Sequence, residues 1–155
     1  MTSFLSTFVN KIDSKGRVSV PAPFRASLTT ELFQGIIAYP SLAEPAIDAF
    51  GRSMLEQLNR RVLDKNLEDG EFEQTLVGRS DSVIETIMAL AHELPFDGQG
   101  RIILPTALID AASLDGKVAF VGRGNKFQIW NPGKFNEKQN AAVAKIRENI
   151  RIGSG

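Results

Sequence analysis

Two short motifs contain the residues of this sequence that are best suited to binding a charged partner. Residues 13–17 read Asp-Ser-Lys-Gly-Arg and residues 97–101 read Asp-Gly-Gln-Gly-Arg, so both have the form Asp-x-x-Gly-Arg. An aspartate that opens a turn accepts hydrogen bonds from nearby backbone amides, and a glycine at the fourth position tolerates a positive φ. We therefore predict two tight hairpin turns, whose structural residues are Asp13, Gly16, Asp97 and Gly100.

The arginine that follows each turn can do more than pair with its aspartate. The first motif concentrates lysine and arginine around a single acid. Basic side chains on a rigid hairpin suit phosphate contacts, arginine can also read guanine, and a two-stranded ribbon fits the major groove of DNA. We keep the ion pair as the simpler alternative and predict DNA contacts from Lys11, Lys15, Arg17 and Arg25.

The second motif is less basic than the first. Gln99 stands where the first motif has Lys15, and the strand that follows, Ile102–Leu104, is apolar. This difference predicts one copy that faces DNA and one that is more concerned with packing.

These motifs belong to a longer internal repeat. Asp13 and Asp97 are 84 positions apart (97 − 13), as are Pro21 and Pro105 (105 − 21), while residues 33–39 resemble residues 114–120 at an offset of 81. A proline can end a strand and open a helix. Each copy is therefore predicted as strand, turn, strand, short helix and strand, with first strands at 4–12 and 92–96. Two copies favour a duplicated unit folded around a pseudo-twofold axis.

The intervening and final segments are predicted to be mainly helical. Apolar residues recur at helical spacing from Ile47 to Val62, after Pro45, and a second helix is expected over much of 71–90, with a break at Asp69-Gly70. Residues 126–130 are predicted as a strand, and Asn131-Pro132 as the start of a helix that runs through 141–150. Residues 151–155 are expected to be a frayed tail.

The composition gives little support to an enzyme. The 155 residues include no cysteine and one histidine, His92, on a predicted strand. Residues 122–126 lack the spacing of a phosphate-binding loop, and the acidic residues of 68–73 fit a solvated helix start better than a metal site. We predict no catalytic residue, metal or cofactor. No apolar run approaches the roughly 20 residues that cross a bilayer. Because the sequence also has no cysteine that could form a disulfide, a cytoplasmic protein is expected. Because the formal net charge is zero, a polyanion would need a local basic patch.

Together these motifs resemble the MraZ family. Besides the two Asp-x-x-Gly-Arg motifs, the chain has Val-Pro-x-x-Phe-Arg at 20–25 and Phe-x-Ile-Trp at 127–130, although Gln128 replaces the acidic residue common there. The resemblance implies an α+β fold of two tandem AbrB/SpoVT-like swapped-hairpin units related by pseudo-twofold symmetry. The implied divisions are a first swapped-hairpin domain at 4–51, connecting helices at 52–91, a second domain at 92–135, and a C-terminal helix and tail at 136–155.

The same resemblance implies a function. The protein would be a transcriptional regulator, mainly a repressor, of the bacterial division and cell-wall gene cluster. It would bind tandem promoter boxes in double-stranded DNA as a ring-shaped homo-oligomer, associated with the nucleoid and without a membrane or small-molecule partner. Family DNA contacts would fall on Lys15 and Arg17, with Arg101 as a further contact. The alternative is a swapped-hairpin assembly module that binds protein partners without recognising DNA.

Overall fold

The described part of the chain combines strands with helices in an α+β arrangement. The computed structural model describes residues 3–68 and 82–154. The strands are β1 (Thr7–Lys11), β2 (Arg17–Ser19), β3 (Gly35–Pro40), β4 (Ile47–Phe50), β5 (His92–Pro95), β6 (Arg101–Ile103), β7 (Lys117–Gly122) and β8 (Phe127–Trp130). The helices are α1 (Ala22–Ala26), α2 (Arg52–Glu68), α3 (Ser82–Leu90), α4 (Thr106–Ala111) and α5 (Pro132–Ser154).

Six of the strands form one antiparallel sheet in the order β1-β7-β8-β4-β3-β5, and β2 pairs with β6 in a separate antiparallel ribbon. If each strand is exchanged for its counterpart in the other copy, the same order is read from the opposite edge of the sheet. The strand pairs β3–β4 and β7–β8 have matching registers when Phe50 is taken as the counterpart of Trp130. Ile37 lies opposite Phe50 and Ala119 lies opposite Trp130, so β3 and β7 correspond at an offset of 82 (119 − 37). The offset of 81 inferred from the sequence is thus corrected by one residue.

The strands that flank each turn find most of their partners in the other copy. β1 and β2 are joined by a single bridge between Ile12 and Val18, whereas β1 pairs along its length with β7, and β5 pairs with β3. The ordinary hairpins expected around the turns are therefore replaced by pairings between copies. The buried strands β3 and β7 each need a partner on both sides, and β5 and β1 supply the outer one.

The main core lies between the sheet and the ribbon. Phe24 of α1 is buried against Phe4, Phe8 and Phe127, with ring centroids 5.3, 5.5 and 5.0 Å away. Leu108 of α4 is buried in the same cluster. Pro21 and Pro105 immediately precede α1 and α4, so the predicted proline-started helices are confirmed.

The opposite face of the sheet is covered by the longer helices. Buried residues of β3 and β4 pack against α2 and α3, and Trp130 packs against Phe135 of α5. Between these two clusters, Asp48 and Gln128 lie opposite each other on β4 and β8, are buried, and are joined by a 2.8 Å hydrogen bond from Gln128 Nε2 to Asp48 Oδ1.

Two of the predicted elements need correction. Ile47 and Phe50 belong to a strand, not to a helix that follows Pro45, and α2 begins at Arg52. All four residues of β4 are buried in the middle of the sheet, and a fully buried strand lacks the alternation that distinguishes it from a helix. At the other end, α5 continues to Ser154, so residues 151–154 are helical and not frayed. Arg151 complements the negative end of the helix dipole there.

The second predicted helix is observed over Ser82–Leu90 as α3. The rest of that prediction, including the break at Asp69-Gly70, lies outside the described residues. Within the described ranges, no helix has the length and apolar character needed to cross a bilayer.

Candidate nucleic-acid interface

Each Asp-x-x-Gly-Arg motif folds into a turn held by its aspartate. Oδ1 of Asp13 accepts hydrogen bonds from the backbone N–H groups of Lys15 and Arg17, both at 2.9 Å, and Oδ2 accepts one from Nε of Arg17 at 2.7 Å. Gly16 has a φ of +82°, which a residue with a side chain rarely adopts. The sequence prediction of a turn with a capping aspartate is confirmed.

The second turn repeats the first bond for bond. Asp97 accepts from the backbone N–H groups of Gln99 at 2.8 Å and Arg101 at 3.0 Å, and from Nε of Arg101 at 2.8 Å. Gly100 has a φ of +76°. The two turns therefore present their arginines with the same local geometry.

These hydrogen bonds keep both aspartates ionised. The backbone N–H of Arg17 is the largest cause that lowers the pKa of Asp13, and the backbone N–H of Arg101, followed by its side chain, lowers the pKa of Asp97 to about 2. The charged carboxylate holds each guanidinium by Nε, and neither Arg17 nor Arg101 has a hydrogen bond from its Nη atoms to another described residue. Those Nη groups can donate to an external anion or base edge.

The ribbon brings the two arginines onto one surface. Arg17 lies opposite Ile103, Val18 opposite Ile102, and Ser19 opposite Arg101. Val18 and Ile102 are buried in the core, and side chains alternate between the faces of a strand. We call the opposite, outward side the ribbon face; its members are Arg17, Ser19, Arg101 and Ile103.

The turns are also fastened to the ribbon. The backbone N–H of Leu104 donates to the carbonyl of Gly16 at 2.8 Å, and that of Val20 donates to the carbonyl of Gly100 at 3.2 Å. A Cβ on Gly16 would lie 2.6 Å from the carbonyl oxygen of Leu104. Each turn is therefore anchored against the strand end of the other copy.

The other three residues predicted to contact DNA lie outside the ribbon face. Lys15 is exposed in the first turn, and Lys11 is exposed at the end of β1. Arg25 is half-buried: its Nε donates to the carbonyl of Val20 at 3.0 Å, and its guanidinium packs against Gly100. Arg25 thus packs against the second turn and supports it.

Sequence reasoning missed one cation at this end of the sheet. Lys117 is exposed and lies directly opposite Lys11 across β7 and β1. Like charges in that position repel one another, and a bound phosphate would relieve the repulsion. The sequence signal is weak, because Lys117 becomes a neighbour of Lys11 only through the pairing of the two copies.

The other groups that the sequence offers for chemistry lie on separate elements of the described structure. His92 lies on β5 opposite Ala38, and residues 123–126 form the turn between β7 and β8, with Gly124 at a φ of +83°. Over residues 3–68 and 82–154, no cluster of histidine and carboxylate side chains could hold a metal ion. The acidic segment 68–73 falls outside those ranges except for Glu68.

Comparison with known proteins finds a family match over part of the chain and relatives over nearly all of it. The family described as "MraZ protein, putative antitoxin-like" matches residues 87–149. A protein of Rickettsia bellii (strain OSU 85-389) is 44% identical over 155 residues, and one of Rickettsia rickettsii (strain Sheila Smith) is 42% identical over 154 residues. Each alignment covers 98% of this chain and 96% of the relative.

This chain belongs to the MraZ family. Both relatives are named "Transcriptional regulator MraZ", and the MraZ resemblance predicted from the motifs is confirmed. The motifs at 13–17 and 97–101, on which that resemblance rests, form the two clamped turns beside the ribbon face.

Proposed function

We propose that the protein is a transcriptional regulator that binds double-stranded DNA through the ribbon face and its two turns. The observation that carries the proposal is the pairing of β2 with β6, which places Arg17 and Arg101 on one exposed surface although they are 84 positions apart in sequence (101 − 17). The names of the MraZ relatives support regulation of transcription.

The geometry of this surface suits the major groove. A two-stranded antiparallel ribbon fits that groove, and arginine binds guanine O6 and N7 with two donors. Because Asp13 and Asp97 already hold Nε of each arginine, part of the entropy of ordering these side chains is lost on folding, before DNA is bound. We assign base contacts to Arg17 and Arg101.

The neighbouring cations would position the protein on the DNA backbone. Lys11 and Lys15 are exposed around the first turn, and lysine contacts to phosphate fix register without carrying sequence information. Lys117 joins them through its place opposite Lys11. We assign Arg25 a lesser role in DNA binding, since its guanidinium already packs against Gly100 and donates to the carbonyl of Val20.

The proposed architecture is a tandem pair of AbrB/SpoVT-like swapped-hairpin units, 4–51 and 92–135, related by a pseudo-twofold axis. Two observations support it. The strand order of the sheet reads the same from either edge when the two copies are exchanged, and the copies pair with each other through β1 with β7 and β5 with β3. The segments 52–91 and 136–155 would then be the connecting and C-terminal helices.

We further propose that the protein assembles into a ring-shaped homo-oligomer and binds tandem promoter boxes. A protomer with no net charge gains little from long-range attraction to DNA, but several copies acting together multiply the affinity. The proposed role is mainly repression of the division and cell-wall gene cluster, in the cytoplasm at the nucleoid.

The test compares two arginine variants of the ribbon face with a control variant of α5. Arg17→Ala should abolish the selective binding of duplexes enriched by the protein from a random pool, while the mass by light scattering and the melting temperature stay unchanged. Arg101→Ala should weaken binding less. Arg147→Ala removes the same charge from the exposed surface of α5 and should bind as the wild type does. If Arg17→Ala bound the enriched duplexes as tightly as the wild type does, the role assigned to Arg17 would be wrong.

A protein-binding assembly module is the second candidate. Its support is the exposed apolar surface of α5, where Ile146, Ile150 and Ile152 are 57%, 65% and 69% exposed. Selection from the random pool separates the two functions, because a module that binds only proteins would enrich no DNA motif.

A further inference from the structure

One residue of the ribbon face is apolar and exposed without a packing role in the described residues. Ile103 is 61% exposed, whereas its neighbours Ile102 and Leu104 are 1% and 2% exposed in the core. Ile103 lies directly opposite Arg17. The outward side of the ribbon therefore sets one apolar side chain beside the arginine that the proposed function depends on most.

The internal repeat shows that strand formation alone does not demand an isoleucine here. The position of Ile103 in the second copy corresponds to Ser19 in the first, since 103 − 19 equals 84, and both lie in paired three-residue strands. The ribbon face is consequently Arg-x-Ser on one strand and Arg-x-Ile on the other. The two strands therefore differ at one outward position, which is Ser19 on one strand and Ile103 on the other.

We propose that Ile103 is a specificity residue that contacts the C5-methyl group of a thymine in the major groove, beside the base read by Arg17. This inference rests on the proposed DNA-binding function. Thymine is the base that presents a methyl group in that groove, and apolar side chains recognise it by contact. Ser19, at the corresponding position of the other strand, offers a hydroxyl that can bond to several bases.

The dimensions of the ribbon agree with this arrangement. Directly opposite residues of an antiparallel pair have Cβ atoms about 5 Å apart. Successive bases of one DNA strand are about 3.4 Å apart along the helix axis. Two side chains that project from opposite positions of the ribbon can therefore reach adjacent or next-adjacent base pairs.

The experiment removes the methyl group without changing base pairing. A duplex enriched by the wild-type protein from a random pool is synthesised with thymidine or with deoxyuridine throughout. Wild-type affinity should fall about fourfold for each contacted methyl group, because burying one such group contributes about 0.8 kcal/mol. Ile103→Ser should bind both duplexes equally, at the affinity that the wild type has for the deoxyuridine duplex.

A matched control separates this effect from the general loss of an exposed apolar residue. Leu42 is 53% exposed and lines a cleft with Asp48 and Gln128, on the side of the sheet away from the ribbon. Leu42→Ser should keep the wild-type preference for thymidine. Light scattering and thermal melting of Ile103→Ser should match the wild type, and a change in either would assign Ile103 to contact between copies or to folding and overturn the proposal.

The outcomes distinguish this inference from the proposed function. Equal wild-type binding to both duplexes, or an unchanged thymidine preference in Ile103→Ser, overturns the methyl contact and leaves DNA binding by Arg17 standing. Failure to enrich any duplex overturns both proposals together.

Discussion

At the scale of single residues, the clamp between aspartate and arginine connects turn formation to the proposed recognition of DNA. Asp13 and Asp97 each bind two backbone N–H groups and one guanidinium Nε. An ion pair and a DNA contact by the same arginine are therefore compatible, because the pair uses Nε and leaves the Nη groups for a ligand. Surface ion pairs contribute little to stability by themselves, so their main effect is on side-chain order.

The depressed pKa of Asp97 predicts how the clamp responds to acid. The folded-state pKa is about 2, below the ordinary value of 3.8, so the stabilisation by the charged carboxylate is present above about pH 4 and is lost as the pH falls through 2. In urea titrations, the stability difference between wild type and Asp97→Asn should shrink as the pH falls from about 4 to about 2. A difference that stays constant across this range would contradict the pKa assignment.

At the scale of elements, local chemistry determines what can be predicted from sequence. The turns and the helices that follow Pro21 and Pro105 depend on residues within a few positions, and the sequence predicts them correctly. It does not predict β4, because Ile47 to Phe50 gain strand structure only from being buried between β3 and β8. The pairing of β2 with β6 is also beyond local prediction, since it joins segments far apart in the chain.

The contacts between the two copies explain which candidate residues can be placed from the sequence. Arg17 and Lys15 are recognisable from one motif, whereas Lys117 and Ile103 matter only once the two copies pair. Arg25 looks like a surface cation in the sequence, but its packing against Gly100 comes from the other copy. Non-local contacts therefore decide most of the proposed interface beyond the motifs.

A pair of glycine variants tests the anchoring of the turns. Gly16→Ala combines a φ of +82° with a Cβ 2.6 Å from the carbonyl oxygen of Leu104, and should destabilise the fold by about 1–3 kcal/mol. Gly98→Ala is the matched control, because a Cβ there meets nothing within 4 Å, and should change stability by less than about 0.5 kcal/mol. Urea denaturation measures both, and equal midpoints would show that the first turn is not anchored as described.

At the scale of the whole molecule, the pairing of β4 with β8 joins the two copies through a buried polar contact. Asp48 accepts hydrogen bonds from Gln128 at 2.8 Å and from Lys126 at 3.3 Å, and Nε1 of Trp130 donates to Gln128 Oε1 at 3.0 Å. Burial, followed by the charge and hydrogen bonding of Asp48, raises the pKa of Tyr39. A buried polar network specifies one arrangement, because every shifted register leaves some of its groups unsatisfied. The network therefore fixes the register of β4 against β8 in the middle of the sheet.

Under the proposed function, the zero net charge of the protomer makes assembly the property that decides its affinity for DNA. Light scattering should give a mass that is a multiple of 17.0 kDa, and a duplex with two enriched boxes should bind about 100-fold more tightly than one with a single box, provided that the spacing lets two protomers engage together. Because Lys15 is assigned one phosphate, Lys15→Ala should reduce the slope of log affinity against log salt by about 0.9 for each protomer that is bound to DNA. A single 17.0 kDa particle that binds one box and two boxes equally would contradict this account, because a lone subunit could not generate the difference.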